Sequence, residues 1–475
     1  MLRVYDTLTK KKKPLRKSPI TKGHFGLFVC GPTVYDFAHI GHARTYIAFD
    51  FIAKYLRFRG FSNLYYVQNI TDIDDKIIER AIKSRTTARR LAQKFTQEYL
   101  RDIKALDINS VDAYAPATKF IPEIISQVER LIKNGFAYKI HGDGIYFNIK
   151  KFPSYGKLSG RTAAQAEDAV TRIDENIKKI NKGDFCLWKL SKKSEPSWNS
   201  PMGRGRPGWH IEDTAISEKF LGPQYQIHGG ARDLIFPHHE SEIAQMEAIS
   251  GKVPIVNTWM HTGFLTMAGE KMSKSLGNFV TIRDFLKKHP PEIIRYLVLS
   301  RHYSSPVDFS NKLIKQTKKS LDRLRQFTGS IRNPSMKKSA EKAPNNAALK
   351  RLRIDFYSSL DDDLNTPNAL AHLFKFIRSY NKSPQIVSSE GKVFLAGFFR
   401  EIDSIFGFEL LKNEVVKVPL DILKLARARQ NHRTSKQWLK ADELRKKMEK
   451  LGWQVADTPS GPKIEPVNQS NTQKL

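Results

Sequence analysis

The stretch HFGLFVCGPTVYDFAHIGHARTYIAFDFIAKYLRFRG, His24 to Gly60, decides the fold. Its first part is a short apolar run closed by Gly31 and Pro32, which predicts a buried strand ending at Gly31. After a turn, Tyr46, Ile47, Ile52, Ala53 and Leu56 recur at roughly helical spacing and Gly60 supplies a stop, so a helix follows. The same alternation continues outward. NLYYVQNI (63–70) reads as a second strand, and TDIDDKIIERAIKS (71–84) opens a helix with Thr71 or Asp72 as its cap. Strand–helix–strand–helix at this spacing predicts an α/β fold, a doubly wound parallel sheet with helices on both faces.

From about residue 115 the pattern changes. A helix in ATKFIPEIISQVERLIKNG leads into short strands in KIHGDGIYFNI and then a charged run, RIDENIKKINKGD, which together read as an insertion. Strand-like segments resume at DFCLWKL, QIHGG and NTWMHTGFL, with Cys186 expected simply to pack among apolar neighbours. Past residue 285 the chain turns helical and lysine-rich. SPVDFSNKLIKQTKKSLDRLRQFTGSI and NALAHLFKFIRSYN show amphipathic spacing around a polar linker, Asn333 to Lys350. A break near Pro419 precedes two basic helices and a short strand.

The 475 residues allow two to four domains, and a hydrophobic share of 40% supports packed cores rather than disorder. With 80 Lys+Arg against 48 Asp+Glu the formal charge is +32, which points to a polyanionic partner, nucleic acid first. Two cysteines in so long a chain argue against a disulfide framework and for a reducing compartment. No apolar run approaches the roughly 20 residues of a membrane span. The basic N-terminus has no apolar segment after it, so no signal peptide and no membrane partner are expected. A cytoplasmic location follows.

Two separated motifs carry chemistry. In FAHIGHART, His39 and His42 are three apart in the first turn of the predicted helix, beside free N–H groups and the positive dipole end where an anion settles. Gly41 between them permits close approach of a flat ring to the backbone. Far downstream, GEKMSKSLGNF puts Lys271 and Lys274 in a polar loop with Ser273, suited to closing over phosphates. Either motif alone is compatible with an ordinary solvated surface. Likewise GRPGWHIEDTAIS (205–217) gathers His210, Glu212 and Asp213 in a way that fits a zinc site and a polar turn equally.

Together, HIGH after the first strand and KMSKS after the second half of the sheet resemble the signatures of class I aminoacyl-tRNA synthetases. The segments CGPTVYDFAHIGHART, NITDIDDKIIERA, GRPGWHIE, HGGARDLIFPHHESEIAQ and DDDLNTPNAL resemble the cysteinyl-tRNA synthetase family over nearly the whole chain. The resemblance implies that ATP activates L-cysteine to cysteinyl-adenylate, which is then transferred to tRNA-Cys. It assigns His39, Gly41, His42, Lys271, Ser273 and Lys274 to ATP, with His39, His42, Lys271 and Lys274 catalytic through charge placement and alignment. Mg²⁺ would accompany ATP. Thr33, Thr71, Trp209 and His228 would line the amino-acid pocket.

The resemblance also implies a Zn²⁺ ion whose preference for thiolate separates cysteine from serine, a distinction worth only about 10²-fold to a plain pocket. By position its ligands are Cys30, Asp213, His238 and Glu242, the last two being four apart on an expected helix. His210 and Glu212 are not in that set. The family pattern has cysteine where this chain has Asp213. Aspartate binds zinc at about 2.0–2.2 Å, against about 2.3 Å for sulfur, with the same charge, but makes the donor set harder. That departure keeps a diverged paralogue in view, either a cysteine-activating ligase for another acceptor or a non-catalytic RNA-binding protein. Intact HIGH and KMSKS and the basic tail weigh against both. The expected organisation is a Rossmann-like catalytic domain (1–115 and 201–255) with a connective insertion (116–200) and a KMSKS and stem-contact region (256–305). A helical bundle binding tRNA (306–414) and a basic anticodon-recognition module (415–475) follow, and the chain is expected to be a monomer.

Overall fold

A computed structural model of the chain describes residues 1–17, 23–161, 165, 178–267, 269–271, 279–331, 346–384, 387–411, 418–458 and 461–466. Five strands form the central sheet: β1 (Phe25–Val29), β2 (Leu64–Ile70), β3 (Ala113–Pro116), β4 (Tyr225–Ala231) and β5 (Val256–Thr262). They are all parallel, in the order β3-β2-β1-β4-β5. Every residue of β1 is buried, as a strand covered on both faces requires. Phe25, Leu27 and Val29 face one core and Phe28 the other, so a single short strand serves both layers.

The strand order reverses between β1 and β4, which opens a crevice at their carboxyl ends. Helix α1 (Ile40–Phe58) leaves β1 there and packs Ile47, Phe49, Ile52 and Leu56 against the sheet. Close approach is enforced at two glycines: a Cβ on Gly229 would lie 2.2 Å from the Phe49 ring, and one on Gly31 would lie 1.7 Å from the Asn69 carbonyl oxygen. Helices α2 (Ile211–Leu221) and α3 (Glu240–Ser250) cover the opposite face, contributing Ile216, Ile243 and Met246 to the second core.

The expected insertion, 116–200, supplies three strands of an antiparallel sheet, Ala137–Ile140, Gly144–Phe147 and Phe185–Leu190, and the fourth, Gly205–Pro207, comes from just beyond its expected end. Cys186 is half-buried within the sheet, and the first part of the charged run before it, 172–177, lies outside the described residues. A small three-stranded sheet joins Leu265–Met267 to Glu270–Lys271 and to Val307–Phe309. The last of these is a correction to the helical reading of SPVDFSNK. Val307 and Phe309 are buried while Asp308 is exposed, a period of two, and the helix begins only at Asn311.

Two further differences are local. The helix after β2 is capped by Asp74, which accepts from the Lys76 amide at 2.8 Å, rather than by Thr71 or Asp72. Thr71 instead prolongs the sheet by bridging Thr33, and Asp72 accepts from the amide and hydroxyl of Thr118. The polar linker is also shorter than its composition suggests, since Asn346 caps a helix over Ala347–Asp361.

Helices Asn311–Ile331, Ala347–Asp361, Thr366–Lys382 and Ser389–Phe406 bury Leu324, Phe327, Phe356, Leu373 and Phe399 in a core continuous with that under α1. A buried ion pair ties these layers. Arg295 donates to Asp50 at 2.8 Å and to the carbonyls of Leu106, Asp107 and Phe406. Residues Met1–Leu411 form one compact unit and Lys412–Leu475 another. Within the second, helices Leu420–Thr434 and Trp438–Lys450 pack Ile422, Ala426 and Met448 against Val455 of a hairpin, Trp453–Thr458 with Gly461–Pro466. The sequence reading anticipated one of those two strands.

Candidate functional site

The HIGH segment builds its own helix start. His39 is the N-cap of α1, and its Nδ1 accepts from the Gly41 amide at 3.0 Å. His42 Nδ1 accepts from the His39 amide at 3.2 Å, so two histidines make a reciprocal capping box. The rings stack with centroids 3.9 Å apart, facing the same way as their spacing predicts. Burial, and then the charge of His39 when protonated, pushes His42 well below the ordinary histidine range, so it stands neutral.

The stretch that follows KMSKS meets this turn directly. The Ile40 amide donates to Val280 O at 3.0 Å, the Ile282 amide to Ala38 O at 2.9 Å, and His39 bridges Thr281. Phe279 meets the His39 ring edge-on at 5.2 Å. Lys271 ends the strand Glu270–Lys271, paired with Thr266, while Ser273 and Lys274 lie outside the described residues. The stretch 279–282, which follows the second motif in sequence, thus flanks the helix terminus that carries the first.

Next to it, the four expected metal donors come together. Cys30 follows β1, Asp213 sits in the first turn of α2, His238 in the kinked turn Ile235–His239, and Glu242 in the first turn of α3. His238 lies in the turn just before α3, after the one non-helical residue, Phe236, and it faces Glu242 as the four-residue spacing suggested: His238 Nε2 is 3.2 Å from Glu242 Oε1 and 3.0 Å from Asp213 Oδ2. Cys30 Sγ lies 3.7 Å from Glu242 Oε1. All four are buried, and one donor atom from each lies within 4.8 Å of the others.

Their surroundings hold the donors in place. Asn69 Oδ1 accepts from the Gly31 amide while its Nδ2 donates to Asp213 Oδ1, leaving Oδ2 toward His238. Burial, followed by Glu242 and Asp213, pushes the Cys30 thiol well above its ordinary range. His210 Nδ1 lies 2.8 Å from His238 Nδ1, and Trp209, half-buried, stacks on His238 at 4.6 Å. Glu212 is fully buried and, beside Asp213, Asp72 and Asp74, is raised well above the carboxylate range, mainly by burial. Thr33 and Thr71 face each other across the gap between the ends of β1 and β2.

A second donor set shares Cys30 and Glu242 but uses His228 and His239. His228 Nε2 is 3.3 Å and His239 Nε2 3.1 Å from Cys30 Sγ. His228 Nδ1 faces the Tyr225 hydroxyl at 2.7 Å, and His239 Nδ1 faces His261 Nε2 at 2.8 Å. His261 in turn faces Thr7, and is pushed down to about 3 by burial and then by Arg232. His228 and His239 are likewise lowered, first by burial, so this ring of imidazoles is neutral and fit to accept or ligate. The sequence reading missed His239, Asn69 and His261. The doublet His238–His239 was the available signal for the first.

Comparison with known proteins bears on the family and the fold. A family described as "tRNA synthetases class I (C) catalytic domain" matches residues 16–319, and a DALR domain matches 355–411. The cysteine–tRNA ligase of Thermococcus gammatolerans is 43% identical over 474 residues, covering 97% of this chain and 98% of that protein. The cysteine–tRNA ligase of Caldicellulosiruptor saccharolyticus is 40% identical over 471 residues, covering 98% and 100%. The chain belongs to the cysteine–tRNA ligase family. It is a class I aminoacyl-tRNA synthetase, an enzyme, and nothing favours a diverged paralogue. Among solved structures, Mycobacterium tuberculosis methionyl-tRNA synthetase bound by methionyl-adenylate superposes with a TM-score of 0.60 at 14% identity, over 82% of this chain and 92% of that one. A Campylobacter jejuni protein described as a putative arginyl-tRNA synthetase gives 0.52 at 14% identity, over 83% and 94%. These share the fold.

Proposed function

We propose that the chain activates L-cysteine with ATP and passes the cysteinyl group to tRNA-Cys. The observation that carries the reading is the convergence of a thiol-selective donor set and the HIGH terminus in one crevice, at the carboxyl ends of β1 and β4. In the first step a carboxylate oxygen of cysteine attacks the α-phosphorus and the bond to pyrophosphate breaks. His39, Gly41 and His42 present ring edges and backbone to the nucleotide. Lys271, Ser273 and Lys274 hold the leaving pyrophosphate, whose negative charge grows as the bond lengthens. In the second step a ribose hydroxyl at the tRNA 3′ end attacks the adenylate carbonyl and AMP departs.

Zinc is tested by the donor set itself. Around a tetrahedral Zn²⁺, oxygen and nitrogen donors stand about 3.3 Å apart and sulfur and oxygen about 3.5 Å. The separations of 3.0, 3.2 and 3.7 Å among Asp213, His238, Glu242 and Cys30 fit such an ion. Bound Zn²⁺ would supply a soft acceptor that takes the substrate sulfur in preference to a serine hydroxyl. Thr33, Thr71, Trp209 and His228 enclose the rest of the amino acid, and Mg²⁺ enters with ATP.

The proposed organisation keeps residues 1–115 and 201–255 as catalytic domain, 116–200 as insertion, 256–305 as KMSKS and stem-contact region, 306–414 as bundle and 415–475 as anticodon module. The enzyme is taken to be cytoplasmic and monomeric; no described helix is long and apolar enough to cross a membrane. The test is cysteine-dependent ATP–pyrophosphate exchange followed by charging of a tRNA-Cys transcript. Exchange without charging, or neither, would overturn the reading.

A further inference from the structure

Glu212 is the least explained carboxyl group in the crevice. It has no exposed surface, and neither carboxyl oxygen has a hydrogen-bond partner among the described residues. Other carboxylates packed on these helices are satisfied. Asp213 meets Asn69 and His238, Glu218 accepts from Gln127 and Arg130, and Glu240 accepts from the amides of Leu158 and Ser159. A buried carboxyl left open costs free energy, so a native chain that keeps one has a use for it.

The neighbours of Glu212 are themselves acidic: Asp213, Asp72 and Asp74. The favourable neighbour is the Thr71 hydroxyl, close by without closing a bond of normal geometry. Thr71 spends its backbone on the other wall, its amide donating to Pro32 O and its carbonyl accepting from Val34 N, both at 3.1 Å. Its hydroxyl can therefore turn between Glu212 and the pocket. Asn69 links the corner by donating to both Thr71 Oγ1 and Asp213 Oδ1.

Cysteine brings three groups to this crevice. On the reading above its carboxylate goes to ATP and its sulfur to the metal beside Asp213. Its sulfur and nitrogen are separated by three bonds, roughly 3–4 Å in staggered conformers. The nitrogen then comes to rest a few ångströms from the ion beside Asp213, it needs acceptors only, and the Thr71 hydroxyl, joined to Asp213 through Asn69, stands at that distance with Glu212 next to it. We infer that Glu212, together with the Thr71 hydroxyl, receives the α-ammonium of cysteine and so restricts the pocket to amino acids rather than bare thiol acids. The assignment rests on the cysteine-activation reading and adds to it the group that recognises the amine.

Calorimetric titration of the zinc-loaded, full-length protein separates the possibilities. The probes are L-cysteine, cysteamine (ammonium and thiol, no carboxylate) and 3-mercaptopropionate (thiol and carboxylate, no ammonium). In Glu212→Gln, cysteine and cysteamine should bind roughly 10–100-fold more weakly, the scale of a lost hydrogen bond to a charge. 3-Mercaptopropionate should change less than about 3-fold, and zinc content should match wild type. Thr71→Val should give the same pattern at smaller amplitude, and stands in should Glu212→Gln not fold. Equal weakening of all three probes, no weakening of any, or loss of zinc would overturn the assignment. Wild-type protein that binds cysteine with this probe pattern yet shows no pyrophosphate exchange would leave the ammonium site standing and remove the activation reading instead.

Discussion

Replacing Asp213 by asparagine tests the metal site where this chain departs from its family. The change preserves size and removes charge. Asp213 now offers Oδ2 at 3.0 Å from His238 Nε2 and gives Oδ1 to the Asn69 amide. An asparagine could satisfy Asn69 only by turning its own NH₂ toward His238 and the ion, where a donor is useless. One of four ligands is then lost. If about 12 kcal/mol of zinc affinity is shared equally among four ligands, each is worth about 3 kcal/mol, or roughly 10²-fold in Kd. Purified wild-type protein should hold about one zinc per chain, Asp213→Asn far less after dialysis against a zinc buffer, and Asp213→Cys at least as much as wild type. Selection should follow the metal. The ratio of cysteine- to serine-dependent pyrophosphate exchange should fall toward the roughly 10²-fold of a purely steric pocket in Asp213→Asn, and hold in Asp213→Cys. Equal zinc in wild type and Asp213→Asn, with an unchanged ratio, would refute the ligand role.

Lys274→Ala should lower the adenylation rate by roughly 10²-fold, as for one lost contact to developing charge, while leaving cysteine affinity alone; an unchanged single-turnover rate would remove Lys274 from the mechanism. Deleting residues 412–475, a unit with its own small core, should spare pyrophosphate exchange and cut tRNA charging severely, and tRNA binding by the full chain should weaken steeply with salt. Arg295→Met should destabilise the protein by about 3–5 kcal/mol, because it leaves Asp50 buried without its main partner; denaturant melts would show it. Burial raises the Asp50 carboxyl, but Arg295 and Lys54 outweigh it and hold it below the ordinary range. Its contribution is therefore present above the ordinary value of about 3.9 and lost as pH falls through the depressed one, so wild type and Arg295→Met should converge in stability in strong acid.

The sheet was legible because its signals are local: an apolar run and a glycine stop need no distant partner to be read. The histidine pair at the helix start took its meaning only together with KMSKS, far downstream in the sequence. The proposed metal ligands were readable only through resemblance, since nothing in Asp213 or His238 distinguishes a ligand from a polar turn. His239 escaped because helical spacing lets only one of two adjacent histidines face a site. In the structure the two serve different donor sets that share Cys30 and Glu242: His239 meets Cys30 at 3.1 Å and His238 meets Glu242 at 3.2 Å. The helix cap after β2 was misplaced for a related reason. TDIDD offers several capping side chains, and the choice of Asp74 depends on Thr71 being drawn into the sheet by Thr33, a contact across the crevice.

The fold by itself would not have named the substrate. Structures of methionyl-tRNA and putative arginyl-tRNA synthetases share this frame at 14% identity, and the frame accounts for the ATP half of the reaction: a parallel sheet, a switch point and a helix start. Selection of a thiol has to come from what stands on it, and the proposed selector is one cysteine, one histidine and two carboxylates drawn from four different segments. Aspartate in place of a thiolate at position 213 alters the set in a way the structure turns to account. A thiolate is a single donor atom, whereas Asp213 has two oxygens, one for Asn69 and one for the site. Asn69 in turn holds the amide of Gly31, the residue after Cys30. The orientation of Asp213 is thereby coupled to that of Cys30 through one side-chain amide, and the softer ligand is exchanged for a more rigidly aimed one.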